Sequence, residues 1–153
     1  MYVILVIGTD PAEWVLEASD LDAVAAQLSQ ATAPLVLPVI SPLAGQLVLS
    51  AGAAGTIALS APSGVGWNPS DCRLPDGPQI LYVPTLTGAT RSQPGFALPP
   101  DTDLDALTQA IVAAMSGGAA LNVPLAPQGG DASLVLHGAG LAYAVVCPPA
   151  KAK

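Results

Sequence analysis

Basic side chains are nearly missing from this chain: four Lys or Arg stand against eleven Asp or Glu, and residues 1–72 contain none. Phosphate backbones are bound by clustered Lys and Arg, so a formal charge of −7 with Arg73, Arg91, Lys151 and Lys153 as the only cations excludes nucleic acid as the expected partner. The same scarcity removes the charged start of a secretory signal. The apolar run Met1 to Ile7 is also too short for the signal's hydrophobic segment, which points to a cytoplasmic chain.

Charge of either sign is scarce. Charged residues make up 10% and hydrophobic ones 52% of the 153 residues, against about a quarter charged in ordinary soluble domains. Residues 23–70 carry no charge, and Leu43 to Ala61 is long enough to span a bilayer. Pro34, Pro38 and Pro42, the glycine-rich Ala51 to Gly55 and the lack of flanking cations argue instead for short strands. The excess apolar surface must then be closed inside the fold or against another protein surface.

Cysteine and histidine are too few for a metal framework. Cys72 and Cys147 lack paired ligand spacing, and in a cytosolic chain two thiols are expected to be reduced and buried, a bridge between them being the alternative. Asp101-Thr102-Asp103-Leu104-Asp105 opens like a calcium loop, but Ala106 and Val112 stand where that loop needs Gly and Glu. No metal or cofactor is expected. Gly64-x-Gly66 and Gly138-x-Gly140 open no helix that could receive a phosphate.

What the chain does contain is self-similarity. Asp20-Leu21-Asp22-Ala23-Val24 recurs as Asp103-Leu104-Asp105-Ala106-Leu107, Leu35 to Val39 as Leu121 to Leu125, and Leu47-Val48-Leu49 as Leu134-Val135-Leu136. Upstream, Val3 to Ile7 matches Ile80 to Val83 and Trp14-Val15-Leu16 matches Phe96-Ala97-Leu98. The offset grows from 83 to 86 to 87 between the later segments, with the gaps confined to connections, where insertions are tolerated.

The repeat predicts an α+β fold: an internally duplicated β-(β)-α-β-β-β unit making one pseudo-twofold domain, with a mainly antiparallel or barrel-like sheet and two packed helices. One domain spans 1–153, with repeat 1 at 2–61, repeat 2 at 79–147 and a Pro/Gly-rich connection at 62–78. Each helix has a hydroxyl, Ser19 or Thr102, expected at its N-cap and acids in its first turn. Leu21, Val24, Ala25 and Leu28 form one apolar stripe, and Leu104, Leu107, Ile111 and Met115 another. Gln46 to Ser50 with Gly55 to Ser60, and Ala132 to His137 with Leu141 to Cys147, read as hairpins. A unit of about 70 residues is marginal alone, so the two copies are expected to share a core.

Three residues are candidates for ligand or partner contact. His137 ends a strand and is the sole titratable imidazole; Trp67 lies in the proline-rich connection, where a large ring can act as a binding anchor; Trp14 reads more readily as a packing anchor. No nucleophile, base and orienting group converge in sequence, and no Gly-x-Ser-x-Gly elbow exposes a serine. The expected function is therefore non-enzymatic: a structural or scaffold protein that forms homo-oligomers, or binds a protein partner, through apolar sheet surfaces. The alternative is a small-molecule binding or sensor domain with an apolar pocket between the repeats.

Overall fold

A computed structural model describes residues 1–8, 12–41, 43–62, 79–83, 95–127 and 130–149. The described chain is mixed α+β, with ten strands, all paired antiparallel, and three helices. The first half contains β1 (Tyr2–Ile7), β2 (Trp14–Glu17), α1 (Leu21–Ser29), β3 (Leu35–Val39), β4 (Gly45–Leu49), a single helical turn α2 (Ala51–Ala54) and β5 (Ile57–Ser60). The second contains β6 (Ile80–Tyr82), β7 (Phe96–Ala97), α3 (Leu104–Gly117), β8 (Ala120–Leu125), β9 (Ala132–His137), a 3-10 turn at Gly138–Gly140 and β10 (Tyr143–Cys147).

Helix α1 starts where Asp20 accepts the Ala23 N–H at 2.6 Å, and α3 where Asp103 accepts the Ala106 N–H at 3.0 Å. The caps are thus the aspartates, one residue later than the hydroxyls Ser19 and Thr102 expected from sequence. A carboxylate there satisfies an orphan N–H and also answers the helix dipole. Both apolar stripes face inward as their spacing requires: Val24 is buried with Leu21 and Leu28 packed beside it, and Leu107, Ile111 and Met115 are buried on α3. Helix α3 stops at Gly118, whose φ of 65° is the left-handed cap that glycine adopts without strain.

The strands form three sheets, ordered β2-β1-β5, β3-β4-β10-β6-β7 and β8-β9. Neither expected hairpin forms. The turn α2 carries the chain away from β4, so that β5 pairs with β1 while β4 pairs with β3 and β10. The 3-10 turn does the same after β9, which pairs with β8 while β10 pairs with β6 and β4. A compact helical turn reverses the chain with a lateral step, whereas a hairpin needs adjacent strands to twist together across a two-to-five-residue loop. Of the mainly antiparallel or barrel-like sheet expected from sequence, the antiparallel pairing is found, and no closed barrel is formed among the described residues.

Corner hydrogen bonds link the sheets. The Ile40 N–H donates to the Val15 carbonyl at 2.8 Å and the Val15 N–H to the Ser41 carbonyl at 3.0 Å, joining β2 to the end of β3; the Ala126 N–H donates to the Ala97 carbonyl at 2.9 Å, joining β7 to the end of β8. The described strands therefore run as one bent succession, β5-β1-β2, then β3-β4-β10-β6-β7, then β8-β9. It bends in opposite senses at its two ends.

That double bend creates two cores on opposite faces of the middle sheet. Leu47, Leu49, Tyr143, Val145 and Cys147 face one core with β1, β2 and α1; Val48, Leu81, Ala144 and Val146 face the other with α3, β8 and β9. Strands covered on both faces lose alternation, which explains the continuous apolar runs of β4 and β10. Each core draws residues from both halves, so in place of the one shared core expected from sequence there are two, the first completed by Tyr143, Val145 and Cys147 and the second by Val48.

The pairings in the two halves coincide. Leu5 opposite Trp14 has its counterpart in Leu81 opposite Phe96, and Leu5 opposite Leu59 in Leu81 opposite Val146. Likewise Val36 opposite Val48 and Pro38 opposite Gln46 correspond to Asn122 opposite Val135 and Pro124 opposite Ser133. The halves meet where β4 pairs with β10, Val48 lying opposite Ala144.

Candidate functional site

At the junction of the halves, Trp14 from β2 meets Tyr82 from β6 and Tyr143 from β10. Trp14 lies edge-on to Tyr82 with centroids 5.2 Å apart and edge-on to Tyr143 at 5.8 Å, while the two tyrosines stack at 6.1 Å. The indole N–H donates to the buried Tyr143 hydroxyl at 2.9 Å. Edge-to-face rings add attraction beyond their buried area, and the indole donor needs this acceptor because no water reaches it. Trp14 is 0% exposed, so this candidate contact residue is a packing anchor, and the space between the halves at this point is filled by the protein's own rings.

The other candidates separate. His137 is exposed at the end of β9, more than half the chain away in sequence from Trp14 and outside both buried clusters. Trp67 and Cys72 lie outside the described residues. Cys147 is a free, buried thiol on β10, and burial pushes its pKa up to about 12, because a thiolate there would have no solvent to stabilise it. Asp103 caps α3 and Asp105 lies in its first turn. Among the described residues, no three His, Cys, Asp or Glu side chains gather in a metal-binding arrangement.

The surface feature that stands out lies at the two ends of the strand succession. Strands β5 and β9 each have one partner, β1 and β8, and a free side among the described residues. Unpaired edges template association with other strands, and proteins commonly blunt them with proline, charge or extreme shortness. Such devices are present on the strands at the two corners: Pro38 within β3, Pro124 within β8, Glu17 at the end of β2 and a length of only two residues in β7. Neither β5 (Ile57-Ala58-Leu59-Ser60) nor β9 (Ala132-Ser133-Leu134-Val135-Leu136-His137) contains Pro, Asp, Glu, Lys or Arg. Val135, at 55% exposed, is an outward apolar side chain on β9.

Sequence reasoning missed Tyr82, Tyr143, Ile57 and Val135. Composition flagged tryptophan and histidine because they are rare, whereas Val135 is distinguished only by its surroundings: Val48, at the centre of the similar Leu-Val-Leu run in β4, is 0% exposed. Comparison with protein-family models, with curated proteins and with solved structures finds no match. Among the described residues no helix is long and apolar enough to cross a membrane.

Proposed function

We propose that this chain is a non-enzymatic structural protein that self-associates through its sheet edges, and that its two halves are copies of one β-β-α-β-β-β unit. The observation that carries this reading is the pair of unblunted strands, β5 and β9, at the ends of a succession whose corner strands carry proline, charge or only two residues. A free edge supplies main-chain hydrogen bonds in a repeating direction, and apolar side chains beside it add burial, the two terms that make strand addition favourable. The common pairing registers of the halves support the duplication. The shared chemistry of those halves is packing and strand pairing rather than a repeated polar site.

Size-exclusion chromatography with light scattering at rising protein concentration tests the association. A mass above the 15.1 kDa of one chain that increases with concentration is expected. A constant mass of 15.1 kDa into the high micromolar range would remove the reading.

A further inference from the structure

Two copies of one unit can be related by a twofold axis or head to tail, and the strand pairing distinguishes these. The registers make β4 the counterpart of β9 and β10 the counterpart of β5. The joint between the halves pairs β4 with β10, so it joins the last strand of one unit's hairpin to the closing strand of the next. A twofold would pair β9 with β5 as well, within the same chain. Instead β9 packs against one face of the middle sheet and β5 against the other, and they have no mutual pairing among the described residues. The joint is heterologous, and such a joint can be used again.

Burial at the joint indicates what is left over. Val48 is 0% exposed because it points away from the core of its own half and into that of the second, beside Ala144. Its counterpart Val135 points away from the core of its own half in the same way but is 55% exposed. On the receiving side, Ala144 and Val146 are 0% and 2% exposed, whereas their counterparts Ile57 and Leu59 are only half-buried on the first core. The surfaces covered at the internal joint are thus exposed on β9 and only half-covered on β5, and among the described residues these are the two end strands that carry no proline or charge.

Resting on the assembly reading above, we propose that the occupant of both ends is a second copy of this chain: β9 of one copy pairs antiparallel with β5 of the next, repeating the β4·β10 joint. Transferring the observed register places Val135 opposite Ile57, Leu134 opposite Ala58 and Ser133 opposite Leu59. Val135 then covers the first core of the next copy, as Val48 covers the second core of its own. Two copies close as a dimer when both joints form between them, and further copies extend the succession when one joint forms per pair.

The test uses the full chain with Cys72→Ser, leaving the buried Cys147 in place. Directly opposed residues of antiparallel strands have Cα atoms about 4.5–5.5 Å apart, within disulfide reach. Ile57→Cys and Val135→Cys chains, mixed and mildly oxidised, are expected to give a covalent heterodimer, and Ala58→Cys with Val135→Cys, whose side chains leave opposite faces, much less of it. Because Val135 is exposed in the single chain, Val135→Lys is expected to keep the thermal midpoint of the isolated chain while weakening association about tenfold or more, the effect of placing an ammonium in an apolar joint. Wild-type chains that assemble, combined with unchanged assembly of Val135→Lys and no register-specific crosslink, would overturn the β9·β5 joint and leave self-association standing. Wild-type chains that stay single would overturn both.

Discussion

Trp14 and Tyr143 show how much of this fold rests on single polar contacts in an otherwise apolar interior. The Tyr143 hydroxyl is the acceptor for a fully buried indole donor, and losing one partner of such a bond exposes the desolvation cost of the other. Tyr143→Phe is therefore expected to lower unfolding free energy by about 1–3 kcal/mol in chemical denaturation, although it leaves the rings in place. Cys147 makes a second prediction. Its folded pKa of about 12 exceeds the ordinary 9.0, so below pH 9 the thiol is neutral in both states and its contribution to stability is fully present. Between these values the unfolded chain loses the proton first, and stability falls as pH rises, with a slope approaching about 1.4 kcal/mol per pH unit. The difference between wild type and Cys147→Ala, followed by denaturation from neutral to alkaline pH, is expected to show this slope. In the folded protein at neutral pH, Cys147 is expected to resist alkylation and to react only once denaturant is added.

At the scale of elements, the two helices are fixed by their aspartate caps as much as by their apolar stripes. Asp20→Ala and Asp103→Ala each remove an accepted N–H at the helix start and are expected to cost about 1 kcal/mol apiece. The effects should add in the double variant, measured by thermal melts, because the caps belong to separate helices. Gly138 has a different role. A Cβ there would run into the Ala114 carbonyl on α3, so the close approach of the 3-10 turn to the helix requires glycine at this position. The helices and their inward faces were legible in the sequence because a 3.6-residue period and a cap are local signals. The hairpins were not. Two apolar runs with a short connection between them look alike whether they pair with each other or step apart across a helical turn, and the partner of β5 lies about 50 residues upstream in β1. Pairing of that kind is decided by the whole sheet.

At the scale of the molecule, the two halves share their element order and their pairing registers, down to Pro38 opposite Gln46 and Pro124 opposite Ser133, which supports the proposed duplication. What the residues could not convey was the manner of joining. Val48 and Val135 occupy equivalent places in similar Leu-Val-Leu runs; only the three-dimensional joint makes one buried and the other exposed. On the proposed assembly the scarcity of charge has a physical meaning, since strand addition between copies needs uncharged edges at both ends. The most direct test is backbone hydrogen exchange, resolved by residue, at increasing protein concentration. Amides of β5 and β9 are expected to gain protection with concentration while those of β4 and β10, already paired, do not change. Exchange in β5 and β9 that is independent of concentration, in a chain that remains at 15.1 kDa, would contradict the proposed assembly.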